Sequence, residues 1–190
     1  MSFDLLDPAK KCALSEAVAP AFDIDPGFGA FYHPDFLKRK QWVAAIFEGD
    51  FRDDGDQICQ GLSSAGIFTV ACGGLAEYMT DWYSLSPQEG DLKEVRNKYF
   101  EPSYFISDYL ESFCIVSDSD YYWSIAADID KIENKFEINI KKCISEFRSD
   151  IAAFSTSDDE HSRKIGSMLQ RYLEICEASL GNATRIDGRI

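Results

Sequence analysis

Between Ile132 and Leu180 apolar residues recur at intervals of three and four, and no other feature of the 190-residue chain restricts its fold as strongly. Ile132, Phe136, Ile140, Cys143, Phe147, Ile151 and Phe154 fall on one stripe of a 3.6-residue helix, with Asp130 placed to cap it and Glu133 three residues on. Ser157 and Glu160 then have the spacing of a second capping box. From there Ile165, Leu169, Tyr172, Cys176 and Leu180 continue a single stripe until Gly181 and Asn182, which can end it. Two long amphipathic helices in succession predict an antiparallel helical hairpin.

The upstream segments carry similar signals. Asp7-Pro8 predicts a first helix, and Pro34 starts another that carries Phe36, Leu37, Val43, Ile46 and Phe47 as far as Gly49. Ser86-Pro87 opens a capped segment with Leu92, Val95 and Tyr99 on one face, and Pro102 opens one with Phe105, Ile106, Tyr109 and Leu110. Only two short runs, Phe113–Val116 and Tyr121–Ile125, read as strands: they are β-branched and aromatic, and Ser117–Asp120 between them suits a turn. The apolar run Ile67–Cys72, closed by Gly73 and Gly74, fits a buried strand or part of a helix equally well. Asp23–Gly29 reads as a surface loop. With no repeat or low-complexity linker, the expected fold is mainly α: a single helical domain over residues 1–190 with a small β-hairpin near residues 113–126, α+β being the alternative.

A hydrophobic share of 45%, with 14% aromatic residues, is ample for a core. Thirty-three acids against nineteen Lys plus Arg give a net charge of −14. Such a surface repels phosphate backbones and anionic lipid, so neither nucleic acid nor a membrane is an expected partner, whereas a basic protein would be drawn in. The same charge also serves plain solubility. The N-terminus sets acids ahead of its lysines and has no long apolar stretch, so no signal peptide and a cytoplasmic location are expected. Cys12, Cys59, Cys72, Cys114, Cys143 and Cys176 are scattered without a Cys-x-x-Cys pair and read as reduced core thiols.

Motifs that carry chemistry are missing. His33 and His161 lack a ligand partner at helical spacing and read as surface residues near helix starts. Asp50, Asp54 and Gly55 suit the first, fifth and sixth places of a calcium loop, but Arg52, Gln57 and Gly61 stand where a ligand, an apolar residue and the bidentate glutamate belong. Asp118, Asp120, Asp128 and Asp130 could surround a divalent cation if the hairpin gathered them, although acids also cap helices. There is no nucleophile elbow, phosphate loop or dinucleotide fingerprint. No catalytic, cofactor or metal residue is therefore assigned, and a motif-less carboxylate enzyme stays open because two carboxylates need no local motif.

The remaining distinctive feature is aromatic. Strand alternation turns at least one of Tyr121, Tyr122 and Trp123 away from the packed side, beside Asp118 and Asp120, which is the composition of an interface hot spot; the alternative is a hairpin packed inward. Asp50, Asp53, Asp54 and Asp56 form a second acidic surface. In size, acidity, lack of an export signal and absence of a catalytic motif, the chain resembles the small immunity proteins with which bacteria neutralise antibacterial toxins. The resemblance implies a non-catalytic inhibitor that covers the basic cleft of a cognate toxin, with charge raising the association rate. An acidic helical chaperone or adaptor, holding a partner segment in an apolar groove, is the second reading.

Overall fold

The computed structural model describes residues 4–25, 29–48, 55–75, 81–88, 94, 104–117, 122–155 and 159–186. In chain order its elements are β1 (Asp4–Leu5), α1 (Pro8–Val18), β2 (Phe22–Asp25), β3 (Gly29–Tyr32), α2 (Pro34–Lys40), β4 (Val43–Glu48), α3 (Gly55–Ser64), β5 (Val70–Gly74), β6 (Trp82–Leu85), β7 (Tyr104–Ser107), β8 (Phe113–Ser117), β9 (Tyr122–Ala127), α4 (Ile129–Asn134), α5 (Ile140–Ser155) and α6 (Glu160–Ile186). Seven strands form one sheet in the order β1-β6-β5-β7-β8-β9-β4, every neighbouring pair antiparallel, and β2 and β3 form a separate hairpin. The fold is thus α+β and not mainly α.

The physical reason for that correction is visible in β5, β7, β8 and β9, all of whose residues are buried. A strand covered on both faces loses its alternation and becomes a continuous apolar run, which periodicity cannot separate from helix. The segment opened by Pro102 is β7. The segment opened by Pro34 changes type part-way: Gln41 takes a left-handed conformation (φ 57°), its N–H bonds the carbonyls of Leu37 and Lys38, and the chain leaves α2 as β4. Of Ile67–Cys72, Val70–Cys72 belong to β5; of Asp23–Gly29, Asp23–Asp25 belong to β2 and Gly29 to β3, with residues 26–28 outside the described residues.

The long helical stripe also divides. Asp128 caps α4 by accepting from Asp130 N at 2.9 Å, Glu137 adopts φ 55°, and Asn139 restarts the helix as α5 by accepting from Lys142 N. Asp159 accepts from Ser162 N at the start of α6, which runs past Gly181 to Ile186; the expected cap Ser157 lies outside the described residues. The predicted first helix is α1, capped by Asp7, and the predicted hairpin is β8–β9. Of the helix expected after Ser86, everything beyond Gln88 except Glu94 lies outside the described residues.

Helices α5 and α6 pack on each other and on β4, burying Ile144, Phe147, Ile151, Leu169, Tyr172 and Cys176 in the common core. Arg148 and Glu177 pair across the two helices. The small hairpin docks on α6, where the Tyr172 hydroxyl donates to Ala30 O and the Phe31 ring meets the Tyr172 ring at 4.4 Å and the Arg171 guanidinium at 4.2 Å. Tyr32 ties the hairpin to the large sheet by donating to Cys114 O at 2.8 Å. Among the described residues, no helix is long and apolar enough to cross a membrane.

Candidate functional site

The register of the sheet's last pair decides which charged segments meet. β4 and β9 are antiparallel with Val43 opposite Ala127 and Glu48 opposite Tyr122. Glu48 is therefore the residue from which the chain enters the acidic stretch 49–54, and Tyr122 the residue at which it returns from 118–121. In the sequence Asp50 stands two residues beyond Glu48 and Asp120 two residues before Tyr122. Paired Cα atoms in a sheet are about 5 Å apart, so two acidic stretches some seventy residues apart in sequence spring from one point on the sheet edge.

The described groups at that point add to the charge. Glu48 is exposed, and Asp150 on α5 is half-buried. Burial first, then the negative charges of Glu48 and Asp150, push the Tyr122 phenol up to about 12. It stays protonated at neutral pH beside two carboxylates. Asp56, in the first turn of α3, is exposed, and its charge also complements the positive end of that helix.

Asp50, Asp53, Asp54, Asp118, Asp120 and Tyr121 lie outside the described residues. Tyr122 and Trp123 are both buried, 5% and 2% exposed, and so offer no contact surface. The alternation expected for them would send them to opposite faces, but both faces are covered. Tyr122 meets Phe147 of α5 edge-on, and Trp123 stacks on its register partner Phe47 at 4.2 Å. Both aromatics fix the strand that carries the acidic stretch rather than meeting a partner themselves.

Two described residues of this site, Glu48 and Asp150, escaped the sequence reading. Glu48 was hidden at the end of a strand that reads as helix. Asp150 had one signal, its place three residues after Phe147 next to the apolar stripe of α5.

Other groups do not converge. Asp128 follows the far end of β9, about 17 Å along the strand from Tyr122, and is engaged as the cap of α4; Asp118 and Asp120 of the possible cation cluster lie outside the described residues. His33 caps α2, its Nδ1 accepting from Asp35 N. Burial pushes the thiols of Cys114, Cys143 and Cys176 up, the last to about 12, the opposite of what an activated nucleophile requires. Cys72, Cys114 and Cys176 are buried and Cys59 and Cys143 half-buried, while Cys12 is exposed; all six are thiols outside any disulfide.

Comparison with protein-family models, curated proteins and solved structures finds no match to this chain.

Proposed function

We propose that this protein is a non-catalytic inhibitor of the immunity type, which binds a basic protein, such as a toxin domain, and covers its functional cleft. The contact surface is the end of the sheet where β4 stops and β9 begins. Glu48 and Asp150 belong to it, the stretches that hold Asp50, Asp53 and Asp54, and Asp118 and Asp120, start from it, and Asp56 follows in α3. The observation that carries the reading is the pairing of Glu48 with Tyr122, which roots both acidic stretches at one place. From Glu48 to Asp56 there are five acids and one arginine, so the local charge is as one-sided as the chain's net charge of −14.

Carboxylates concentrated in this way act on association before contact, over a screening length of about 8 Å at physiological ionic strength. In the bound state they pair with Arg and Lys of the partner. The buried aromatics behind them hold the edge rigid, which lowers the ordering cost of binding.

The test is capture from the native lysate at low and high salt, with bound proteins identified by mass spectrometry. A single basic protein recovered at equal stoichiometry and released by salt is expected; recovery of no basic protein overturns the inhibitor reading. With that partner in hand, Glu48→Lys combined with Asp118→Lys and Asp120→Lys should slow association at least tenfold and flatten its salt dependence at unchanged thermal stability. An unaltered association rate would move the interface elsewhere.

A further inference from the structure

β4 separates two ends of opposite character. Its last residue opens the acidic stretch, whereas Lys38, Arg39 and Lys40 occupy the last turn of α2 just before its first. Beside those cations α2 and α6 flank a half-open cleft of about 230 Å³. Leu37 and Trp42 on one side and Ala183 on the other form its apolar wall, and Lys38, Gln41 and Asn182 supply its polar groups. We propose that this cleft binds a small monocarboxylate with a flat or aliphatic body, the acid on Lys38 and the body on Ala183 and the small part of Trp42 that stays exposed.

Lys38 is available for such a ligand. Lysines in a final helical turn ordinarily serve the helix's own carbonyls. Here the carbonyls of Leu37 and Lys38 already accept from Gln41 N, and Leu37 O also from Trp42 N. Lys40 is committed, since its ammonium donates to Leu110 O at 2.6 Å and sits 5.3 Å from the centre of the Trp42 ring. Lys10, Lys142, Arg148, Lys164 and Arg171 are each paired with a carboxylate. Among the described residues no carboxylate lies in ion-pair range of Lys38, which is exposed at the cleft.

The wall is rigid. Trp42 is 5% exposed, met edge-on by Phe36 and held by Lys40, so its ring is fixed before any ligand arrives. Gln41 keeps a side-chain amide at the cleft although its left-handed backbone would suit glycine better, and strain of that kind gathers at binding sites. The volume falls below the roughly 300–1,000 Å³ of sites for drug-sized molecules, so the ligand is small. Among the residues that line the cleft Lys38 is the one cation, and a single ammonium in a chain of net charge −14 favours a single negative charge over a phosphate dianion.

The test is an NMR titration of the full isotopically labelled chain with indole-3-acetate and 4-phenylbutyrate to millimolar concentration, with indole-3-acetamide as the uncharged control. Saturable shifts of the Trp42 indole and of the Gln41 and Asn182 side-chain amides are expected, with the acids binding about fivefold tighter than the amide. Lys38→Glu should weaken the acids by at least that factor while leaving the amide unchanged, and Ala183→Phe should abolish all binding by filling the cleft. Absence of saturable shifts, equal binding of acid and amide, or acid binding unaffected by Lys38→Glu overturns the proposal. Because Lys38 is exposed, the last result stands even if Ala183→Phe perturbs the fold.

Discussion

The backbone N–H of Ala44 donates to the Ser179 hydroxyl at 3.0 Å, and that hydroxyl donates in turn to Cys176 O at 2.8 Å. Ala44 lies on β4, an outer strand of the sheet, and Ser179 on α6, 135 residues later in the chain. An unpaired edge N–H is an invitation to pair with another chain, and here a helix covers it with one buried hydroxyl. The same contact locks α6 to the strand whose far end carries Glu48.

Ser179→Ala should therefore cost about 1–3 kcal/mol, the penalty of a buried N–H left without its acceptor. Urea denaturation measures the loss, and amide exchange should show Ala44 less protected than Ala45. A loss under about 0.5 kcal/mol, the level of an ordinary surface change, would mean that the edge is held by packing alone.

Gly61 in α3 faces the ring of Phe136, and a Cβ at that position would collide with it. Helix-interior Gly→Ala ordinarily stabilises by up to about 1 kcal/mol. In this chain Gly61→Ala should instead destabilise by about 1–3 kcal/mol through overpacking, and Phe136→Leu should recover part of that loss in the double variant. Additive effects in thermal melts would show that the ring does not limit the site.

Gln41 gives the opposite sign. Its φ of 57° ends α2 in a conformation that glycine adopts without steric cost. Gln41→Gly should raise stability by ~0.5–1 kcal/mol, read from the denaturation midpoint at constant slope. A lowered midpoint would show that the glutamine side chain contributes more than its backbone costs.

Tyr122 sets an alkaline dependence. Its phenol titrates at about 12 in the folded chain against 10.0 for the ordinary group, so the unfolded chain loses the proton first. The stability it contributes is complete below pH 10.0 and is lost as pH rises through about 12. Across that window the wild type should lose on the order of 2 kcal/mol relative to Tyr122→Phe. Cys176, also raised to about 12, titrates in both proteins and cancels in the difference. Parallel stability curves for the two proteins would contradict this account.

Some of this architecture was legible in residues close together in sequence. Asp7 ahead of Pro8 marks α1, the stripe Ile165, Leu169, Tyr172, Cys176 marks α6, and two short aromatic runs around Ser117–Asp120 mark β8 and β9. Each signal rests on a cap, a period or a turn that acts within a few residues. The acidic stretches were legible as charge, but the alternation argument for Tyr122 and Trp123 assumed one wet face, and β9 has none.

By itself, then, the sequence determined the starts of α1 and α2, the stripe of α6, the central hairpin and the charge of −14. Only the tertiary structure decided that Val43–Phe47, Val70–Cys72 and Tyr104–Ile106 are strands. Periodicity reports which side of a segment meets water, and a segment buried on both sides carries no such mark. The partners β4 and β9 are also distant in the chain, so no local pattern could place Glu48 beside Tyr122.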